Sequence, residues 1–168
     1  MQASLGRKGD YSVRAVLDIA RHNGDRRKAR EIAAEMDIPN RYLTQILANL
    51  VQHGLLEAVA GPTGGYVLAR QPGQVSLLEV VEAAEGPIAL DVCVLQGGPC
   101  SWENNCPVHV PWARAQNAMA EQLSTTSFAD LVSIDEELAA GTHQIPEDTP
   151  PHKIPTPRLP RKSDNRKR

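Results

Sequence analysis

The stretch "IPNRYLTQILANLVQHGLL", Ile38 to Leu56, reads as a helix with two unlike faces. Leu43, Ile46, Leu47, Leu50 and Val51 recur at the spacing of a buried helical stripe. Pro39 suits the first turn, where its missing amide costs nothing, and Gly54 suits the position just past the end. The other face carries Arg41, Thr44, Gln45, Ala48, Asn49 and Gln52. One side of this helix belongs to a core. What the polar side meets depends on the elements around it.

Upstream, "KAREIAAEM" (Lys28–Met36) is a short helix with Ala29, Ile32, Ala33 and Met36 inward, joined to the first by the tight turn Asp37-Ile38-Pro39. Two helices so connected form a helix-turn-helix candidate. Before them, "YSVRAVLDIARH" (Tyr11–His22) places Val13, Val16, Leu17 and Ala20 on one helical face, and Asn23-Gly24-Asp25 breaks it. Downstream, "LLEAVAGPTGGYVLAR" (Leu55–Arg70) sets two apolar runs around Gly61–Gly65, a β-hairpin with a glycine-rich tip. Helix, helix-turn-helix and hairpin in that order spell a winged helix over residues 1–75.

The next unit, 76–139, opens on Ser76 with Glu79 three residues on, the pattern of a capping box. A helix from there ends at Gly86-Pro87. "VPWARAQNAMAEQLSTT" (Val110–Thr126) predicts a long helix from near Pro111, with Trp112, Ala115, Met119 and Leu123 on its apolar stripe. Ser127 and Asp130 open a last short helix with Leu131 and Ile134 inward. Residues 140–168 are expected to be a disordered basic tail: six of the thirteen prolines fall in 146–168, with almost no bulky apolar residues. The chain is therefore expected to be mainly α, a winged helix-turn-helix with a small β-hairpin wing and a long C-terminal helix.

The net charge of −2 over 168 residues conceals an uneven distribution. Residues 1–75 carry +3, residues 76–145 carry −9, and residues 146–168 carry +4. A basic half beside an acidic half points to phosphate on one side and another task on the other. No apolar run approaches the length that spans a bilayer, and "MQASLGRKGDYSVRA" lacks the core of a signal peptide. A cytoplasmic protein with reduced thiols is expected, with no membrane partner.

In the basic half, Arg41 and Gln45 are side chains able to pair bidentately with guanine and adenine edges, and Thr44 can serve either. Arg26, Arg27, Lys28 and Arg30 stand at the mouth of the preceding helix, where phosphate contacts fall. An ordinary helical domain with an exposed polar face is the alternative. The hairpin and the local charge favour double-stranded DNA.

All three cysteines lie in "CVLQGGPCSWENNCPVH", Cys93 to His109, spaced C-x6-C-x5-C-x2-H. Thiolates ligate both iron and zinc, and imidazole can complete either set. The glycines and prolines of the loop free its backbone to wrap a metal centre and give it no apolar face in which to bury idle thiols. Iron–sulfur and zinc stay open on spacing alone. A catalytic Cys–His pair has no orienting residue nearby.

These segments together, "KGDYSVRAVLDIA", "IPNRYLTQILANLVQHGLL", "GPTGGYVLAR", "SLLEVVEAAEGP" and "CVLQGGPC…CPVHVPW", resemble the winged-helix iron–sulfur transcriptional regulator family, the family of IscR and NsrR, over roughly residues 5–138. The resemblance implies a DNA-binding transcriptional regulator, a repressor, acting as a homodimer through the long helix. It also implies a sensor of redox, nitric oxide or iron–sulfur status built on an iron–sulfur cluster. Cys93, Cys100 and Cys106 match the family's three thiolate ligands, with one extra residue in the first gap. His109 matches a histidine ligand of a [2Fe–2S] centre, and Asp10 matches a carboxylate that the partner subunit gives to a [4Fe–4S] centre. The position of His109 inside the loop favours it, and with it [2Fe–2S]; Asp10 is equally a charge placed in a first helical turn. A zinc-stapled or cluster-free module without sensing is the competing class. The resemblance implies base reading by Ser, Glu and Gln in the family's cluster assembly regulator; this chain has Arg41, Thr44 and Gln45 at those positions, so a different target is expected. Ala60 stands where the family's wing carries an arginine, which weakens minor-groove insertion.

Overall fold

The computed structural model describes residues 5–88, 102, 106–147 and 149. In chain order these form α1 (Arg7–Arg21), α2 (Ala29–Glu35), α3 (Asn40–Gln52), β1 (Leu56–Val59), β2 (Gly65–Leu68), a short 3-10 turn at Pro72–Gln74, α4 (Leu77–Glu85), α5 (His109–Thr125) and α6 (Phe128–Ala140). The helix, helix-turn-helix and hairpin order is the one the apolar spacing predicts.

α3 buries Leu43, Ile46, Leu47 and Leu50 as expected, and Gly54 takes φ +68° one residue past its cap. α1 starts earlier than predicted, at Arg7, and its inward face is rotated. Ser12, Ala15, Val16 and Ile19 are sealed, whereas Val13 and Leu17 pack at the margin. Neighbours on several sides decide that face: α3, α4 and α6 all pack on α1. The core runs through Val16, Ile19, Ile32, Leu43, Leu47, Leu50, Leu56, Val75, Val80 and Phe128.

The hairpin pairs antiparallel with Leu56 opposite Leu68 and Val59 opposite Gly65. Its second strand also bonds to the segment before α2: Arg27 N donates to Tyr66 O at 3.0 Å, and Tyr66 N donates to Arg27 O at 2.9 Å. A Cβ at Gly65 would sit 2.7 Å from Arg27 O, so this approach requires glycine. The wing is thereby fastened to the helix-turn-helix.

Both predicted capping boxes form. Glu79 N donates to Ser76 Oγ at 3.2 Å while Ser76 N donates to Glu79 Oε2 at 2.9 Å. Asp130 N and Ser127 Oγ, and Ser127 N and Asp130 Oδ2, repeat the exchange at 3.2 and 2.9 Å. The two caps lie side by side, because Leu77 N donates to Thr126 O and Phe128 N to Val75 O. Burial overpenalises the Glu79 carboxylate, but the Ser76 amide, the Arg70 guanidinium and the Ser76 hydroxyl outweigh it and hold Glu79 below its ordinary range. The Ser127 hydroxyl and then its amide do the same for Asp130.

Two expectations for the acidic half need correction. On α6 the inward residue is Phe128, fully sealed, with Leu131 and Val132 packed beside it. Ile134 is 36% exposed, α6 being packed against α1 and the 3-10 turn through its other residues. On α5 no residue is buried: Ala115 and Met119 are exposed, and Trp112 and Leu123 are half-buried. The apolar stripe is present, but among the described residues it is not a core face. Most of the predicted tail, beyond residue 149, lies outside the described residues.

Candidate nucleic-acid interface and cysteine loop

Arg41, Thr44, Gln45, Ala48 and Gln52 are exposed along α3, opposite its buried stripe. Asn49 departs from the predicted outward set, being half-buried with Oδ1 sealed from solvent. The Arg41 guanidinium lies 4.6 Å from the centre of the Tyr42 ring, and its Nη2 donates to the Tyr42 hydroxyl at 2.8 Å. Tyr42 in turn stands against Tyr11 of α1, with ring centres 6.4 Å apart. Arg41 is thus held close to the helix surface by an aromatic pair. Thr44 Oγ1 leans back to donate to Asn40 O at 3.4 Å.

Arg7 and Lys8, both exposed, join Tyr11, Tyr42, Gln45 and Ile46 around a cleft of about 250 Å³. The first turn of α1 therefore flanks the face of α3 that bears Gln45. Sequence reasoning missed these two cations. Adjacent basic residues at a helix start were the available signal, but their place beside α3 is a tertiary fact.

The basic run before α2 divides. Arg26 and Arg30 are exposed and Lys28 is half-buried. Lys28 and Arg30 face the wing residues Ala58–Pro62 across an open groove of about 610 Å³. Arg27 corrects the sequence reading: it turns inward, its Nε donating to Asp18 Oδ2 at 2.9 Å and its Nη2 to Asp18 Oδ1 at 3.0 Å. Asp18 is wholly buried, and its hydrogen bond raises the Arg27 pKa further above its ordinary value. A charge so deep needs a partner, and Arg27 is that partner rather than a phosphate contact. Nearby, the Lys28 backbone amide donates to Glu31 at 2.9 Å and holds that carboxyl below its usual range.

Of the predicted metal ligands, Cys93 and Cys100 lie outside the described residues. Cys106 carries a free, half-buried thiol. His109 is the first residue of α5 and exposed, with its backbone N donating to Cys106 O at 3.3 Å, so the two stand on one turn leading into the helix. Asp10, in the first turn of α1, is paired with Arg14 Nε at 2.8 Å. Among the described residues no three His, Cys, Asp or Glu side chains gather into a metal-binding group. As donor chemistry, three thiols and an imidazole in seventeen residues suit an iron–sulfur centre or zinc.

No helix among the described residues is long and apolar enough to cross a membrane. The chain is 34% identical over 135 residues to the HTH-type transcriptional regulator IscR of Sodalis glossinidius, covering 80% of this chain and 81% of that one. It is 29% identical over 147 residues to the regulator of the same name in Citrobacter koseri, covering 87% and 90%. These relatives are named as transcriptional regulators, not enzymes. Among solved structures, CymR, the global cysteine regulator of B. subtilis, superposes with a TM-score of 0.69 at 28% identity over 79% of this chain and 98% of that one. T. potens IscR superposes with a TM-score of 0.66 at 28% identity, covering 83% and 92%. Residues 5–134 match the family described as Rrf2, Iron-dependent Transcriptional regulator, and the chain belongs to the Rrf2 family of winged-helix transcriptional regulators.

Proposed function

We propose that this Rrf2-family regulator is a cytoplasmic homodimeric repressor that binds double-stranded DNA through α3 and senses redox, nitric oxide or iron–sulfur status through an iron–sulfur cluster. The observation that carries the reading is the place of Cys106 and His109. Cys106 stands on the turn leading into α5 and His109 is the first residue of that helix, which leaves Met119 44% exposed, so the candidate ligands adjoin the helix that bears the apolar stripe. Cys93, Cys100 and Cys106 would hold the cluster with His109 as fourth ligand, Asp10 being the alternative. When bound, the cluster supplies a change of charge and ligation that an oxidant or nitric oxide can reverse or destroy. The rest falls to the chain. The start of α3 enters the major groove, where Arg41 and Gln45, one turn apart, read base edges and Thr44 assists. Arg26 and Lys28 contact phosphate. Two copies paired along α5 present two reading helices, so the target has dyad symmetry.

Anaerobic purification followed by absorption spectroscopy and analysis for iron, sulfide and zinc tests the sensor. A brown protein containing iron and sulfide is expected, and Cys93→Ala, Cys100→Ala or Cys106→Ala should each lose the colour while circular dichroism stays that of folded protein. His109→Ala should alter the spectrum and Asp10→Ala should not; the reverse assigns the fourth ligand to Asp10 and a [4Fe–4S] centre. Stoichiometric zinc without iron or sulfide would replace the sensor by a structural staple.

A further inference from the structure

Helix α1 begins without a cap of its own. Gly6 occupies its N-cap and offers no side chain to the amides of the first turn, which have no partner inside the helix. The missing acceptor comes from another element. Glu85, the last residue of α4, accepts a hydrogen bond from Gly9 N on Oε1 at 2.8 Å, across 76 residues of chain. The seat is shaped around this carboxylate: a Cβ at Gly6 would come within 2.8 Å of Oε1, and one at Gly9 within 2.7 Å. A negative group at the positive end of a helix is favoured twice, by the hydrogen bond and by the dipole.

The turn so held is the one that carries Arg7 and Lys8 to the edge of α3, in the cleft they share with Tyr11, Tyr42 and Gln45. We propose that Glu85 is a positioning residue for DNA binding: by capping α1 from α4 it sets Arg7 and Lys8 to contact the phosphates that flank the groove entered by α3. The proposal rests on the reading of α3 as the helix that meets DNA. Glu85 also stands at a boundary. Beyond it Gly86 and Pro87 turn the chain, Ile88 N donating to Glu82 Oε1 at 3.0 Å, and the sequence runs on to Cys93. The cap thus ties the end of α4, where the cysteine-bearing segment begins, to the DNA-facing end of α1.

Charge and position make opposite demands on a variant, which makes the test decisive. Removing a carboxylate from beside a phosphate-binding face should by electrostatics alone tighten DNA binding. Loss of positioning should loosen it. In the full chain prepared anaerobically, affinity for a selected duplex is measured as a function of salt for wild type, Glu85→Ala, Glu85→Asp and Glu85→Gln, each also combined with Arg7→Ala/Lys8→Ala. Amide exchange over residues 7–10 is followed in parallel. Glu85→Ala and Glu85→Asp, the latter charged but too short to reach Gly9, should weaken binding roughly threefold to tenfold, the range of one lost hydrogen bond, and speed exchange. Glu85→Gln keeps the acceptor oxygen and should bind at least as well as wild type. In the Arg7→Ala/Lys8→Ala background, itself weaker and shallower in salt dependence, the Glu85 variants should add nothing. Binding by Glu85→Ala and Glu85→Asp that equals or exceeds wild type overturns the proposal, as does an equal loss in the Arg7→Ala/Lys8→Ala background. An Arg7→Ala/Lys8→Ala protein with wild-type affinity and salt slope overturns it as well. A wild-type protein that selects no duplex overturns the DNA reading of α3 first, and this proposal with it.

Discussion

Arg26 and Arg27 are neighbours in a basic run, yet one faces water and the other closes a buried ion pair with Asp18. Truncating Arg27 leaves the Asp18 carboxyl in the core without its two guanidinium donors. Arg27→Ala should therefore lower stability by about 3–5 kcal/mol, the cost of stranding one member of a buried pair, whereas Arg26→Ala should stay within about 0.5 kcal/mol. Urea denaturation of the two proteins checks the contrast, and near-equal losses would mean that Asp18 finds another partner. On α3 the expected deficits are in binding rather than folding. Arg41→Ala and Gln45→Ala should each cost about 1–3 kcal/mol on the specific duplex and relax preference at one position per half-site. Selection from random duplexes measures this; an unchanged selected motif from both variants would remove α3 as the reader.

At the scale of the elements, three helices begin on a carboxylate that accepts from the backbone three residues earlier: Glu31 for α2, Glu79 for α4 and Asp130 for α6. Each of these carboxyls titrates below its ordinary value, 4.5 for the glutamates and 3.8 for the aspartate. A depressed native value means that the stabilisation is fully present above the unfolded-state value and is lost as the pH falls through the native one. Stability should thus be flat in these groups above about pH 5 and decline in acid below about pH 4. The decline should be shallower in Glu79→Gln and Asp130→Asn, whose caps no longer titrate. Urea midpoints across that range decide it, and identical acid slopes in wild type and both variants would show the caps to be idle. The serine and carboxylate pairs of α4 and α6 are legible in sequence because a capping box is local, three residues from end to end. The face that α1 buries is not, because α3, α4 and α6 choose it together.

For the molecule as a whole, the long helix α5 carries an apolar stripe that the described residues leave largely uncovered. Met119 is 44% exposed, Ala115 is exposed, and Trp112 and Leu123 are only partly covered. A row of this kind on a helix that ends in a tightly bonded junction with α4 and α6 is suited to a second copy of the chain. Met119→Glu should accordingly yield a folded monomer, seen as a halved mass in sedimentation equilibrium. Its affinity for a two-half-site duplex should fall far more than its affinity for a single half-site, since the gain from simultaneous engagement is lost. A Met119→Glu protein that sediments with wild type would place the dimer contact elsewhere.

The order of elements, the two-faced helix α3, the hairpin, both serine caps and the gathering of three cysteines before a long helix were all determined by the sequence itself. Each depends on residues within one or two turns of each other, where apolar period, capping chemistry and glycine placement act directly. Partnerships between distant residues were decided only by the tertiary structure. It is folding that turns Arg27 inward to Asp18, sets Arg7 and Lys8 beside Gln45, seals Phe128 while leaving Ile134 in solvent, and brings Glu85 to the uncapped start of α1. A residue's type states what it can bond to. Which of several equivalent cations, carboxylates or apolar side chains meets that need depends on how the helices pack, and packing is a property of the whole chain.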